Sequence, residues 1–226
     1  MTGNQYMLLE VQIFIEKTYR NPQELIDIAG SFIMKNPKQI KKSLKSPKNL
    51  KKPVKIIYPQ KNPIEKREMI YNLIKNLSEK SEDVLILGRT NNNINQFIKH
   101  RNLVKKGNLK KDKFLRILDK TDKSMNNVYY RTLHSAKGLE ADNVIIINMI
   151  DDYLGFPSKL KTHSVLSYVN TKNYDYKYSE ERRLFYVGLT RSKNNVYLIS
   201  DKNNPSEFIE ELIDDNPENL EIIEYK

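Results

Sequence analysis

Asp83-Val-Leu-Ile-Leu-Gly88 is the stretch that best defines the fold class of this chain. It is short, continuously apolar and closed by glycine, which is typical of a strand buried on both faces of a parallel sheet. Further strands are predicted at Val54–Tyr58, Val128–Leu133, Val144–Asn148, Val196–Ser200 and Leu220–Glu224. Helices are predicted at Ile64–Leu77, through Ile94, Phe97 and Ile98, at Ser179–Arg191 and at Glu207–Ile213. Strands that alternate with helices predict an α/β fold, with a parallel sheet covered by helices on both faces.

Two segments complete the predicted organisation. Pro22 suits the first turn of a helix, and apolar residues then recur at helical spacing, at Leu25, Ile26, Ala29, Phe32 and Ile33. The segment from Arg101 to Asn127 is charged and weakly patterned, and we interpret it as an insertion or crossover with one helix at Phe114–Leu118. It is too short for a second domain, so residues 1–226 are predicted to form a single domain.

Composition limits the classes of function. The 226 residues contain no cysteine, which excludes disulfides and thiolate metal sites, and a formal net charge of +11 favours a polyanionic partner. Neither a membrane-length apolar run nor a signal-peptide pattern is found, so a cytoplasmic protein is expected. The lysines between Lys35 and Lys55 fit two interpretations, a solvated surface or a track for nucleic acid.

One nucleotide motif is absent from the sequence. A phosphate-binding P-loop needs Gly-Lys followed by Ser or Thr, and none of the seven glycines precedes a lysine. The run from Val144 to Asp152 has the form of an apolar strand that ends in magnesium-binding acids. Without a P-loop, an ordinary core strand is the favoured interpretation. The chain alone is therefore not expected to hydrolyse a nucleotide.

Four polar segments stand at the ends of predicted elements. Thr18-Tyr-Arg20 leads into the first helix, and Leu87-Gly-Arg-Thr-Asn91 follows the apolar run. Thr132-Leu-His-Ser-Ala-Lys-Gly-Leu-Glu140 joins two strands, and Glu180-Glu-Arg-Arg-Leu-Phe-Tyr-Val-Gly-Leu-Thr-Arg191 forms a helix that enters the next strand.

These segments resemble motifs IV, IVa, V and VI of superfamily 1 helicases of the UvrD/Rep type, and they occur in that family's order. The helicase IV branch is the most similar, through Gly138-Leu-Glu-Ala-Asp142, Gly155-Phe-Pro-Ser158 and Asn36-Pro followed by Lys41-Lys42. The resemblance implies a RecA-like fold of the P-loop NTPase type that lacks the P-loop itself. It identifies the chain as the second motor domain, 2A, with no room between His100 and Asn127 for the 2B subdomain that many relatives insert.

The resemblance implies a nucleotide site. Arg191 and Arg20 would be the catalytic arginines that contact the γ-phosphate of ATP, while Glu140 and Gly138 would belong to the nucleotide-binding group. Arg191 shares a helical stripe with Leu184, so it points inward or across a cleft. The alternatives are a helix-end cation for Arg191, a surface carboxylate for Glu140 and a tight turn for Gly138.

The resemblance also implies contacts to single-stranded DNA, from Thr132, His134, Arg89 and Asn91. A lone histidine is more often structural, and only the motif raises His134 above that interpretation. Arg182 and Arg183 are expected to pair with nearby carboxylates and to hold their helix in place.

The interpretation is therefore one half of an ATP-dependent DNA helicase or translocase, with 3′ to 5′ movement implied by the family. ATP and Mg²⁺ would be bound mainly by an N-terminal RecA-like domain of the same protein, and this chain would contribute no metal ligand. Two alternatives stay open: an inert module that binds nucleic acid or protein, and a motor that remodels a protein complex such as RNA polymerase. The sequence leaves the oligomeric state open.

Overall fold

An eight-stranded sheet organises the part of the chain that the structure describes. The computed structural model describes residues 16–40, 43–60, 62–80, 82–95, 103–106, 115–119, 127–159 and 176–225. The strands are β1 (Val54–Tyr58), β2 (Val84–Gly88), β3 (Leu103–Lys106), β4 (Leu115–Asp119), β5 (Val128–Thr132), β6 (Ala141–Met149), β7 (Ser192–Ser200) and β8 (Leu220–Glu224). Their order is β3-β4-β5-β2-β6-β7-β1-β8, and the six strands from β5 to β8 are mutually parallel.

Among the described residues, four helices and one short turn of 3₁₀ helix cover this sheet. They are α1 (Gln23–Met34), α2 (Pro63–Glu79), the 3₁₀ turn Leu133–Ala136, α3 (Ser179–Leu189) and α4 (Glu207–Asp215). Side chains cap the N-termini of α2 and α4. Asn62 accepts a hydrogen bond from the Ile64 N–H, and Ser206 accepts one from the Ile209 N–H. No helix among the described residues is long and apolar enough to cross a membrane.

Side chains alternate between two cores, one on each face of the sheet. In β6, Val144 and Ile146 pack against α1, α3 and α4, while Ile145 and Ile147 belong to the core beneath α2. The same alternation recurs in β1, β2 and β7. A strand that is buried on both faces reads as a continuous apolar run, which is why these strands were predictable. The predicted parallel α/β sheet, covered on both faces, is confirmed.

The predicted helix at Phe114–Leu118 is wrong. Leu115–Asp119 is a strand, which pairs antiparallel with β3 on one side and with β5 on the other. A run of five residues is compatible with either element, and the open edge of β5 supplies backbone partners that only a strand can use. In the helix predicted through Ile94, Phe97 and Ile98, Phe97 and Ile98 lie outside the described residues.

Candidate functional site

Two clusters of polar side chains lie at the two ends of the parallel strands. Glu140 and Arg191 lie immediately before β6 and β7, on the side of the sheet where the parallel strands begin. Arg89 and Thr132 lie at the ends of β2 and β5, on the opposite side. Helix α3 runs from one edge to the other, and its eleven residues span about 16 Å.

The cluster where the strands begin, here called the arginine cluster, contains Arg20, Glu140, Arg191 and Lys193. Because β6 and β7 are neighbours in register, Ala141 N–H donates to the carbonyl oxygen of Arg191 at 3.1 Å, which brings Glu140 close to Arg191. Arg20 reaches the same place from the start of α1, and its Nε lies 2.8 Å from Glu140 Oε2. Lys193 Nζ lies 3.3 Å from Glu140 Oε1. The sequence-predicted nucleotide residues Arg20, Glu140 and Arg191 are therefore brought together.

Arg191 is held by neutral oxygens. Its guanidinium donates to the carbonyl oxygens of Val187 and Leu139, at 3.0 and 3.2 Å, and to the hydroxyl of Thr190 at 3.2 Å. Among the residues that the structure describes, no carboxylate lies within 4.0 Å of this guanidinium. Burial, and then the positive charge of Arg20, lower the pKa of Arg191. A half-buried cation beside a second cation favours an anionic ligand.

Glu140 is the carboxylate of the arginine cluster. The hydrogen bond from Lys193 holds the pKa of Glu140 below its ordinary value, burial acts against this, and the hydrogen bond from Arg20 lowers it further. Gly138, two residues earlier, adopts a φ of +84°, and a Cβ there would meet no atom within 4 Å. The backbone conformation of the turn therefore accounts for this glycine.

A cleft of about 780 Å³ opens over the arginine cluster, within the size range of small-ligand sites. Its walls include residues to which the sequence interpretation assigned no role: Lys17, Tyr19, Asn21, Lys48 and Lys193. The ring of Tyr19 is 70% exposed there. Lys193 lies two positions after Arg191, and its closeness to a motif residue was the signal that could have identified it. Lys48 carried no such signal within the lysine-rich segment.

The cluster where the strands end contains Arg89, Thr132 and His134, and we call it the strand-end cluster. Gly88 and Thr132 are register partners, which places Arg89 beside the turn that follows β5. Arg89 donates through Nε to both oxygens of Glu181, at 3.0 Å, and its NH1 lies 3.4 Å from His134 Nδ1. Thr132 accepts a hydrogen bond from the Ser135 N–H at 3.4 Å and caps the 3₁₀ turn.

Asn91 is not drawn into the strand-end cluster. It is exposed on the turn after Arg89, whereas Asn93 is buried and holds that turn through its Oδ1, which accepts from the Thr90 N–H at 2.7 Å. The structure thus brings Arg89, Thr132 and His134 together, and among the described residues it shows no hydrogen bond from Asn91 to any of these three. The DNA contacts themselves stay a prediction.

The predicted pairing of Arg182 and Arg183 with carboxylates is confirmed. Arg182 donates two hydrogen bonds to Glu211, at 2.6 and 2.5 Å, and Arg183 lies 3.4 Å from Glu180. The Arg182 guanidinium also lies over the rings of Phe32 and Phe208, which fixes α3 against α1 and α4.

The fold defines the class of this domain. It matches a crystal structure described as the C-terminal domain of a possible DNA helicase from Lactobacillus plantarum WCFS1, with a TM-score of 0.52, covering 91% of this chain and 98% of that chain. At 15% identity this likeness shows the fold alone. The predicted RecA-like α/β fold is therefore confirmed.

In sequence, residues 99–203 match the model of the UvrD-like helicase C-terminal domain, and the chain is similar to DNA helicases. DNA helicase IV of Escherichia coli (strain K12) is 27% identical over 196 residues, which cover 87% of this chain and 25% of that protein. DNA helicase II of Rickettsia typhi is 26% identical over 222 residues, which cover 92% of this chain and 29% of that protein. The chain thus spans between a quarter and a third of the length of these relatives.

Proposed function

We propose that this chain is the second motor half of an ATP-dependent DNA helicase or translocase, and that its arginine cluster closes on the terminal phosphate of ATP. The observation that carries the proposal is the pair Arg20 and Arg191 in one cleft, where the described partners of Arg191 are all neutral oxygens. Guanidinium groups match phosphate geometry and donate two parallel hydrogen bonds to it. Arginines in this role raise turnover by about 10³–10⁵-fold in phosphoryl-transfer enzymes.

The other residues of the cleft support a nucleotide as the ligand. Tyr19 offers an exposed ring on which a base can stack, and Lys193 adds a third cation for phosphate. Glu140 gives up its bond with Arg20 when phosphate arrives, and its carboxylate then becomes available to a ribose hydroxyl. The proposed ligand therefore fits the chemistry of the cleft.

ATP and Mg²⁺ are proposed to be held mainly by an N-terminal RecA-like domain of the same protein. The chain has no Gly-Lys dipeptide for a P-loop. Among the described residues, no group of three or more His, Asp or Glu side chains is arranged to hold a metal ion. This half would complete the site from the opposite side of a cleft between the two domains. The cleft would close when the γ-phosphate is bound and reopen after hydrolysis.

The isolated chain tests this split site. We expect no ATP hydrolysis above background from a purified sample, with or without single-stranded DNA, because the phosphate-cradling loop and the metal ligands are elsewhere. The measurement is phosphate release, with the Arg191→Ala chain as the matched control for a contaminating enzyme. Hydrolysis that copurifies with the chain and disappears in the Arg191→Ala chain would overturn the proposal.

The strand-end cluster is proposed to contact single-stranded DNA. Glu181 orients Arg89, and the NH1 group of Arg89 and the ring of His134 lie together at the surface between β2 and β5. A guanidinium and an imidazole can contact a phosphate or stack on a base. The direction of movement, 3′ to 5′, is proposed from the family resemblance.

Binding of a fluorescent oligonucleotide to the isolated chain tests the DNA contact. We expect weak binding that falls steeply with salt, since phosphate neutralisation releases counterions with a slope of about −0.7 per contact on single strands. Arg89→Ala is expected to weaken binding by about tenfold or more, the value of one charge-assisted hydrogen bond. Arg183→Ala, which removes the same charge from the exposed side of α3, is the matched control. Equal affinities for the two variants would exclude Arg89 from the DNA site.

An inert binding module is the second candidate function. A module that does not hydrolyse ATP gives no reason for the position of Arg191, which faces the cleft with neutral oxygens as its described partners. A catalytic role for Arg191 in the full-length protein would therefore exclude it. A motor that remodels a protein complex would share every residue described above, and displacement assays on both kinds of substrate separate the two.

A further inference from the structure

Asn21 connects the two arginines of the arginine cluster. It follows Arg20 in the sequence and is 6% exposed. Its side-chain amide donates to the carbonyl oxygen of Thr190 at 3.1 Å and to that of Ser192 at 2.6 Å. These are the carbonyl groups of the two residues that flank Arg191. A single side chain thus joins the segment that carries Arg20 to both sides of Arg191.

The contact uses the full donor capacity of this side chain. A carboxamide has two N–H groups, and both are directed at one short segment of backbone. Thr190 lies at the C-terminal end of α3, where helix carbonyls lack intrahelical partners, and Ser192 opens β7. Asn21 therefore fixes the point at which the helix turns into the strand, and Arg191 occupies that point.

Electrostatics explains why such a connection is needed. Arg20 and Arg191 carry the same charge in the same cleft, and the charge of Arg20 contributes to the lowered pKa of Arg191. The carboxylate of Glu140 offsets part of this repulsion, but a carboxylate that holds an arginine also competes with an anionic ligand. A neutral amide that binds backbone carbonyls supplies the constraint without occupying either guanidinium group, so Arg191 stays available to an anion and Arg20 becomes available when it leaves Glu140.

We propose that Asn21 is a positioning residue, which sets the spacing of Arg20 and Arg191 and so shapes the seat of the terminal phosphate of a nucleoside triphosphate. The inference rests on the proposed function and adds a residue to that site. Asn21 does not itself touch the nucleotide. It acts through the backbone on either side of Arg191.

Steady-state ATP hydrolysis by the full-length protein, with saturating single-stranded DNA, tests the inference. Asn21→Ala is expected to lower kcat by about 10²-fold, the cost of misplacing a catalytic group by about 1 Å. Affinity for ADP, which lacks the terminal phosphate, is expected to stay within about twofold of the unaltered protein, as is usual for a site that keeps its other contacts. Asn36→Ala is the matched control, because Asn36 is 2% exposed and braces a turn through the Lys38 N–H at 3.0 Å, away from the cleft.

A double-mutant cycle separates positioning from simple support of the fold. If Asn21 acts through Arg191, Asn21→Ala causes no further loss of kcat in the Arg191→Ala background, since contacting or coupled residues are not additive. If the alanine variant does not fold, Asn21→Ser, which keeps one hydrogen-bond donor, replaces it in the same double-mutant cycle. Additive losses, or a kcat per folded molecule that Asn21→Ala leaves unchanged, would overturn the inference while the proposed function stands. An Arg191→Ala protein with full turnover would overturn both.

Discussion

Two arginines at the two ends of α3 illustrate how differently one residue type is used. The side chain of Arg182 is 4% exposed, binds the carboxylate of Glu211 with two nitrogens, and lies 4.8 Å from the centroid of the Phe32 ring. Arg191 is bound to neutral oxygens and faces a second cation across an open cleft. The fold supplies an anion to the first arginine, and we propose that a ligand supplies it to the second.

This contrast predicts a large loss of stability at Arg182 and a small one at Arg191. Arg182→Ala leaves a carboxylate in a largely buried position and is expected to lower the free energy of unfolding by about 3 kcal/mol, the lower end of the range for a broken buried pair. The lower end applies because Lys35 Nζ, 3.3 Å from Glu211 Oε1, still pairs with that carboxylate. Arg191→Ala is expected to cost less than about 1 kcal/mol, the range for a cation at a helix end.

Urea unfolding of the isolated chain measures these differences. Arg183→Ala is the control for removal of a charge from the same helix, because its pair with Glu180 is exposed and such pairs contribute about 0–1 kcal/mol. If Arg191→Ala destabilised the chain as much as Arg182→Ala, Arg191 would be a structural residue and the contrast would fail.

The smallest expected effect concerns Glu140. Lys193→Ala removes the hydrogen bond that contributes most to the lowered pKa of Glu140, so this pKa is expected to rise towards its ordinary value. Because the folded-state pKa lies below the unfolded one, the ion pairs stabilise the fold above the unfolded pKa, and this stability is lost as pH falls through the folded pKa.

NMR titration of the Glu140 carboxyl group measures that shift. Lys202→Ala is the matched control, since Lys202 pairs with Glu224. An unchanged pKa in the Lys193→Ala chain would show that Lys193 does not share in the charge balance of the cleft.

The sequence predicted most of the fold because its strands carry strong local signals. Continuous apolar runs marked β2 and β6, and Pro22 marked the start of α1. The strand β4 was mistaken for a helix, because its assignment depends on the open edge of β5, which no local pattern encodes. A local sequence pattern thus predicts a strand that is buried on both faces of the sheet. It fails for a segment that becomes a strand only by pairing with a strand far away in the sequence.

The candidate site was predictable in part for the same reason. Arg20, Glu140 and Arg191 were identified because they lie in motifs, and the structure brings them together. The bond between Arg89 and Glu181 and the role of Asn21 depend on contacts between segments far apart in the sequence. Such contacts follow from the strand order, which a single sequence does not specify.

Turnover of the full-length protein with and without Arg191 is the most direct test of the central claim. The measurement is ATP hydrolysis stimulated by single-stranded DNA, for the unaltered protein, Arg191→Ala and the control Arg183→Ala. We predict a fall in kcat of about 10³-fold or more for Arg191→Ala, the range for loss of an arginine that contacts the transferring phosphate, with ATP binding largely retained. Unchanged turnover would mean that Arg191 is only a helix-end cation, and the inert binding module would then be the better account of this domain.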